Sequence, residues 1–165
     1  MCIRDRHSGV AIALNALDQP RRRIAVVGLG TGTLATWGRA GDTFRFYDIN
    51  PDVEPIARSW FRFLRDSPAR TEVVLGDARV QLGRELAAGQ SQDFDLIAVD
   101  AFSGDSIPMH LLTAECADIY RRRLTPGGVL ALHISNRALS LDRVARGMAL
   151  YLGWTAVQIL SLIHI

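Results

Sequence analysis

Ile24-Ala-Val-Val-Gly-Leu-Gly-Thr-Gly-Thr33 is the stretch of sequence that decides the fold. It opens with four apolar residues, two of them valine, a run that is typical of a strand buried on both faces. Gly28, Gly30 and Gly32 follow, and the chain is expected to turn there from a first parallel strand into a helix. Without side chains, the backbone of this turn can approach a bound nucleotide or nucleoside closely, and the first amides of the helix face the ligand.

The spacing of these glycines separates two classes of cofactor. The dinucleotide pattern Gly-x-Gly-x-x-Gly would require a glycine at position 33, where the chain has Thr33. Gly-x-Gly-x-Gly instead resembles the turn of S-adenosylmethionine sites in the Rossmann-like methyltransferase fold. On the spacing alone, a tight turn without any ligand remains an open alternative.

Segments typical of strands and of helices alternate along the chain. Besides the first strand, we expect strands at residues 43–48, 72–75, 94–99, 129–134 and 154–159. Helices are expected at residues 8–17, 34–39, 51–64, 79–88, 113–124 and 141–152, with a tight turn at residues 125–128. This alternation predicts an α/β fold with a doubly wound, mainly parallel sheet of the S-adenosylmethionine-dependent methyltransferase type. The sheet is expected to be truncated at its last strand, because the sixth strand lacks the seventh that would pair with it.

Length and composition limit the remaining possibilities. The 165 residues suffice for one domain with a sizeable core, and 48% hydrophobic and 22% charged residues are ordinary for a soluble globular protein. Acidic residues are interspersed among the arginines and the net charge is +2, so no nucleic-acid partner is predicted. The arginine triplets at residues 21–23 and 121–123 are expected on solvated faces. No apolar run approaches the length of a membrane span, so no membrane contact is expected within this segment.

Both ends of the chain are predicted to be non-native. Met1-Cys-Ile-Arg-Asp-Arg6 can be encoded by ATGTGTATAAGAGACAG, and the reverse complement of that string encodes Leu160-Ser-Leu-Ile-His-Ile165. The two hexapeptides therefore resemble a transposon end used to prepare sequencing libraries. We expect a single Rossmann-like domain that binds an adenosyl cofactor at residues 7–159, with residues 1–6 and 160–165 outside it.

Aspartates follow three of the predicted strands. In a doubly wound sheet the ligand binds beyond the carboxyl ends of the strands, so Asp48, Asp77 and Asp100 are candidate binding residues. Asp48 follows Gly28 by about twenty residues, the spacing at which an acid can accept both ribose hydroxyls. Asp77 can cap the next helix or accept a hydrogen bond from an adenine amino group, and the spacing leaves both open. Asp100 ends an apolar strand, where a carboxylate is costly to bury unless it meets a cation or several donors.

A further aspartate and two histidines are expected to have structural roles. Asp105 is expected to be a solvated turn residue. His110 and His133 have no partner at the spacing of metal ligands, so they are expected to be structural histidines. No metal site is predicted.

Five motifs occur in one order along the chain. They are Val27-Gly-Leu-Gly-Thr-Gly-Thr33, Phe46-Tyr-Asp-Ile-Asn-Pro51, Val74-Leu-Gly-Asp-Ala-Arg79, Asp95-Leu-Ile-Ala-Val-Asp100 and Leu124-Thr-Pro-Gly-Gly-Val129. Together they resemble the spermidine synthase family, especially its bacterial spermidine synthase-like branch, which is often fused to membrane segments. The resemblance covers nearly all of residues 8–159. It implies a cytoplasmic domain, whose parent protein is attached to the inner membrane in the fused case, and it allows a homodimer.

The resemblance also implies roles for individual residues. The cofactor-binding residues would be Gly28, Gly30, Gly32, Asp48, Ile49, Asp77, Ala78 and Asp100. Asp48 would bind the ribose and Asp77 with Ala78 the adenine of S-adenosylmethionine or its decarboxylated form, which serves as a substrate. Asp100 matches the family's catalytic aspartate, which binds the attacking amine and helps to remove its proton. The amine then displaces methylthioadenosine and takes over the aminopropyl group.

The loop after the fourth strand departs from the family pattern. The family carries two aspartates three residues apart, whereas this chain reads Asp100-Ala-Phe-Ser-Gly-Asp105 and has Ser103 at the second position. Ser103 and Asp105 are therefore further candidate catalytic residues, and Asp105 can replace the second aspartate only if the loop bulges. The leading activity is aminopropyl transfer to a small polyamine. The alternatives are an S-adenosylmethionine-dependent methyltransferase and a non-catalytic cofactor-sensing domain of a membrane-fused protein.

Overall fold

A single parallel sheet organises the structure. The computed structural model describes residues 8–90, 94–102, 107–134 and 140–159. The strands are β1 (Arg23–Val27), β2 (Thr43–Asp48), β3 (Arg70–Leu75), β4 (Phe94–Val99) and β5 (Leu124–Leu132). They lie side by side in the order β3-β2-β1-β4-β5, and every neighbouring pair is parallel. The predicted doubly wound α/β sheet is therefore confirmed.

Helices cover both faces of this sheet. The α-helices are α1 (Gly9–Asn15), α2 (Val53–Trp60), α3 (Ala78–Ala87), α4 (Ala114–Arg123) and α5 (Asp142–Leu152), and there are two short 3-10 helices, Thr33–Trp37 and Met109–Leu112. Side chains of α1 and α2 join one hydrophobic cluster, whereas those of α3, α4 and α5 join another. Within the described ranges, no helix combines the length and the apolar character needed to cross a bilayer.

The two central strands are apolar except for Arg23 of β1 and Asp95 of β4, because both of their faces are covered. In β1, Val26 packs in the cluster that contains Leu14 of α1, and the next residue, Val27, packs in the cluster that contains Leu82 of α3. All six residues of β4 are buried. Successive side chains of a strand point to opposite faces, so one continuous apolar run supplies both cores.

Residues 154–159 form no strand, which corrects the prediction of a sixth strand. A strand needs a neighbour to satisfy its backbone hydrogen bonds. In the described part of the chain β5 is the outermost strand on that side of the sheet, so residues 154–159 pair with no strand there. Residues 155–159 are instead exposed.

The second helix is shorter than predicted. It ends at Trp60, because Phe61 has an extended backbone with φ −125° and ψ 157°. The chain then turns so that Leu64 is buried. A Cβ atom placed on Gly32 would lie 2.8 Å from Cγ of Leu64, so the two residues are in close contact. Packing of Leu64 against the glycine turn thus replaces the last helical turn.

The tight turn predicted at residues 125–128 lies within β5. Phe94 of β4 pairs with Leu124, and Leu96 pairs with Val129, so one residue of β4 faces four residues of β5. The extra residues leave the regular ladder, with Gly127 at φ +80°. The strand therefore starts earlier than predicted and contains a bulge.

Arg22 is buried, which corrects the expectation of a solvated face for this member of the first triplet, whereas Arg21 is exposed as predicted. Arg22 is 1% exposed, and its Nε donates to Oδ2 of Asp42 over 3.0 Å. Its two terminal nitrogens also donate to the carbonyl oxygens of Leu14 and Trp37 over 2.9 and 2.8 Å. Arg22 thereby ties α1, the 3-10 helix Thr33–Trp37 and the start of β2 to the start of β1.

Arg123 of the second triplet is buried too, whereas Arg121 and Arg122 are exposed as predicted. Its Nη2 donates to Glu85 over 2.9 Å, and Glu85 accepts further hydrogen bonds from Arg45 and from the hydroxyl of Tyr47. The guanidinium of Arg123 lies 5.0 Å from the ring centroid of Phe94. The charged side chains in this group come from β2, α3 and α4 and lie on one face of the sheet.

We predict that Arg22→Ala destabilises the fold by about 3–5 kcal/mol, the usual effect of removing one partner of a buried ion pair. Burial alone would raise the pKa of Asp42, but hydrogen bonds from Arg22 and the backbone of Arg39 outweigh it and hold this pKa below its usual value. The stabilisation is therefore present at neutral pH and is lost as the pH falls through the lowered pKa.

Urea denaturation of the wild type and of both arginine variants checks this prediction. The matched control is Arg58→Ala, which removes an exposed pair with Glu54 and should change the unfolding free energy by at most about 0.5 kcal/mol. An equal loss of unfolding free energy in the two variants would contradict the assignment of Arg22 as a partner in a buried ion pair.

Candidate functional site

The glycine turn begins where β1 meets β4. Gly28 has φ +99°, and its backbone N–H donates to the carbonyl oxygen of Tyr47 over 2.8 Å. A Cβ atom at Gly28 would lie 2.7 Å from the carbonyl oxygen of Asp100 and 3.0 Å from Cα of Ala101. Because these are backbone atoms, only glycine permits the two strand ends to approach so closely.

Gly30 differs from its two neighbours in the motif. Its φ is +51°, yet a Cβ atom there would meet no atom within 4 Å. Gly32, by contrast, packs against Leu64 and precedes the 3-10 helix that starts at Thr33. Of the three predicted glycines, Gly30 is thus the one that borders open space, where a ligand could approach the backbone.

Asp48 lies at the end of β2 and holds the glycine turn. Its Oδ2 accepts a hydrogen bond from the backbone N–H of Leu29 over 2.8 Å, and its Oδ1 accepts one from the N–H of Asn50 over 3.0 Å. Each carboxylate oxygen can accept a second hydrogen bond. Asp48 does not cap the next helix, because its carboxylate accepts from the amides of Leu29 and Asn50 and α2 starts only at Val53.

Asp77 caps a helix and also pairs with a histidine. Its Oδ1 accepts a hydrogen bond from the N–H of Val80 at the start of α3, over 2.9 Å. Its Oδ2 lies 2.7 Å from Nε2 of His110. The N-cap interpretation of Asp77 is therefore confirmed, and the histidine contact adds to it.

Asp100 follows β4, and its carboxylate contacts His133, which follows the end of β5. Oδ1 of Asp100 lies 2.6 Å from Nδ1 of His133, and both side chains are 20% exposed. The ring of His133 meets the ring of Phe102 edge to face, with the centroids 4.7 Å apart. Asp100 is thus partnered by a histidine and still open to solvent.

The remaining predicted residues lie beside these carboxylates or outside the described ranges. Ile49 is 71% exposed next to Asp48, and Ala78 is buried at the first position of α3. Ser103 and Asp105 fall in residues 103–106, which the structure does not describe.

A cavity of about 70 Å³ lies at the glycine turn. It is lined by residues of the turn and by the carboxylate that follows β4, namely Gly28, Leu29, Gly30, Thr31, Thr33, Leu34 and Asp100. The one charged residue in this lining, as far as the described residues go, is Asp100. The cavity therefore favours a cationic group over an anionic one.

The two histidine pairs were missed by the sequence analysis. The spacing of metal ligands along the chain does not reveal these pairs, whereas in the structure His110 and His133 each pair with one of the predicted aspartates. A signal for the second pair was available, because Val99 pairs with Leu132 and the next residues of the two strands are Asp100 and His133. Among the described residues, no group of three or more potential metal ligands lies together.

Known proteins share sequence with part of this chain. No family model matches the chain. A polyamine aminopropyltransferase of Vibrio vulnificus is 35% identical over 113 residues, which are 66% of this chain and 36% of that protein. The chain thus spans little more than a third of the length of this relative.

Solved structures of other proteins have a similar fold. Human methyltransferase-like protein 13, in complex with SAH, matches 87% of this chain and 67% of its own with a TM-score of 0.68 and 23% identity. A probable spermidine synthase from Corynebacterium glutamicum matches 81% of this chain and 46% of its own with a TM-score of 0.61 and 20% identity. This chain has a spermidine synthase-like, Rossmann-like methyltransferase fold.

In this spermidine synthase-like fold, the polar groups follow the order of the strands. Asp77 follows β3, Asp48 ends β2, the glycines follow β1, Asp100 follows β4 and His133 follows β5. All of them lie at the carboxyl edge of one parallel sheet, on both sides of the point where the strand order reverses between β1 and β4.

We predict that the two glycines of the turn tolerate alanine differently. Gly30→Ala should cost about 1–2 kcal/mol of stability, because only the left-handed backbone conformation opposes it. Gly28→Ala should cost about 1–3 kcal/mol more, because its Cβ atom would also clash with the backbone of Asp100. Urea denaturation of both variants measures the difference, and equal losses would show that β1 and β4 are not in this close contact.

Proposed function

We propose that the chain binds an adenosyl sulfonium compound at the carboxyl edge of its sheet and transfers an aminopropyl group from it to a polyamine. The observation that carries the proposal is the glycine turn between Asp48 and Asp100. It offers a side-chain-free backbone at Gly30, with one carboxylate on each side. The Vibrio vulnificus relative, a polyamine aminopropyltransferase, supports the same reaction.

The adenosine part would lie over β1, β2 and β3. Asp48 keeps capacity to accept ribose hydroxyls while it holds the Leu29 amide. Ile49 presents an exposed apolar side chain on which an adenine ring could pack. Asp77 would accept a hydrogen bond from the adenine amino group with the capacity that Val80 and His110 leave.

The charge of the cavity favours the decarboxylated donor. Decarboxylated S-adenosylmethionine carries a sulfonium and an ammonium, whereas S-adenosylmethionine also carries a carboxylate. Asp100 is the charged residue in the described cavity lining, and it would attract the two cations and repel the carboxylate. An acceptor amine, which is protonated in solution, would be attracted by the same side chain.

A methyltransferase is the second candidate. Human methyltransferase-like protein 13, solved with SAH, has a TM-score of 0.68 to this chain, slightly higher than that of the probable spermidine synthase. The same strand-end site would then hold intact S-adenosylmethionine. The group that is transferred distinguishes the two candidates.

Product analysis tests the proposed function. With decarboxylated S-adenosylmethionine and putrescine, the protein should release methylthioadenosine and form an aminopropylated amine that mass spectrometry detects. Asp100→Asn keeps the size and the hydrogen bonding of the side chain but removes its charge. We predict that it lowers turnover by ~10²-fold or more, the usual contribution of a group that assists proton transfer.

The matched control is Asp66→Asn, which makes the same change in an exposed ion pair with Arg62. It should leave turnover unchanged. Methylated product from intact S-adenosylmethionine, without any aminopropyl transfer, would overturn the proposal in favour of the methyltransferase.

A further inference from the structure

We infer that His133 is a further catalytic residue, which receives the proton of the attacking ammonium while Asp100 positions its ring. The inference rests on the proposed function and assigns the proton to a side chain that the sequence analysis treated as structural. It depends on three features of the described structure: the contact between the two side chains, their place along the sheet edge, and their partial exposure.

The hydrogen bond between the side chains fixes the chemistry of the ring. Nδ1 of His133 lies 2.6 Å from Oδ1 of Asp100. An ionised carboxylate can only accept, so Nδ1 carries the proton of the neutral ring and Nε2 carries the lone pair. This is the arrangement in which a carboxylate orients an imidazole as a general base and stabilises the imidazolium that forms.

The ring is held in place from two more directions. The backbone N–H of His133 donates to the carbonyl oxygen of Val99 over 3.0 Å, which continues the ladder between β4 and β5. Phe102 packs edge to face on the ring, with the centroids 4.7 Å apart. In the described part of the chain, Asp100 is the charged group that lies within ion-pair distance of His133.

The strand order places His133 on the side of the amine. The proposed adenosine contacts lie over β1, β2 and β3, whereas Asp100 and His133 follow β4 and β5. An acceptor that attacks a carbon held near Asp100 must approach from outside the adenosine position. The side chain of His133 is 20% exposed, so an amine can reach it.

Proton transfer is better matched to imidazole than to carboxylate. Free imidazole side chains titrate near pH 6.5 and free carboxylates near pH 4, and a general base works best when its pKa is near the operating pH. Nε2 takes a proton from the primary ammonium, which leaves a neutral amine and an imidazolium. The amine lone pair then forms the new C–N bond as the C–S bond breaks, and the electron pair of the C–S bond stays on sulfur.

His133→Asn separates the two roles of the ring. Asparagine can donate to Asp100 from about the position of Nδ1 but has no base at the position of Nε2. We predict methylthioadenosine affinity within twofold of the wild type, turnover with putrescine lowered about 100-fold or more, and loss of the low-pH limb of the kcat/KM profile. His164→Gln, in the terminal segment predicted to be non-native, is the control for loss of a histidine and should behave as the wild type.

A binding measurement gives a second readout that does not depend on turnover. In ¹⁵N NMR of the full chain saturated with methylthioadenosine, the Nε2 resonance of His133 should move when putrescine is added. An unmoved resonance, or His133→Asn with wild-type turnover and pH profile, would overturn the inference. Absence of any transfer by the wild type would instead contradict the proposed function on which the inference rests.

Discussion

The close approach of β1 and β4 is the constraint on which the rest of the site depends. The N–H of Asp100 donates to the carbonyl oxygen of Val27 over 2.9 Å, and Gly28 leaves no room for a side chain against the backbone of Asp100. These contacts hold the glycine turn and Asp100 next to each other at the edge of the sheet. Since both strands are buried on both faces, the hydrophobic cores that stabilise the domain also hold this geometry.

The arrangement of polar groups along this edge separates the proposed adenosine contacts from the proposed amine contacts. The carboxylates of Asp48 and Asp77 accept backbone hydrogen bonds that shape the loop and the helix start, and they keep acceptor capacity for the proposed adenosine. Asp100 lies on the other side of the point where the strand order reverses, and its carboxylate is hydrogen-bonded to His133. An adenosyl ligand on one side and an amine on the other would then meet at the cavity lined by Gly30 and Asp100.

The fold could be predicted from local patterns, whereas several features of the site depend on contacts between distant residues. The segment at residues 94–99, apolar except for Asp95, predicts β4 with its observed bounds, because a strand buried on both faces needs a mostly apolar sequence. The buried state of Arg22 could not be predicted in this way, since its partner Asp42 lies twenty residues away and joins it only in the folded sheet. The pairing of Asp100 with His133 likewise requires the register of β4 and β5.

Calorimetric titration with methylthioadenosine and with NADP is the measurement that tests the central claim most directly. Asp48 would repel the 2′-phosphate of NADP. The turn also has Thr33 at the position where a dinucleotide site has its third glycine, so methylthioadenosine should bind and NADP should not. Asp48→Ala should weaken methylthioadenosine binding by ~1–3 kcal/mol, the cost of a lost charge-assisted hydrogen bond, while Asp66→Ala should leave it unchanged. Tighter binding of NADP than of methylthioadenosine would contradict the account of this site.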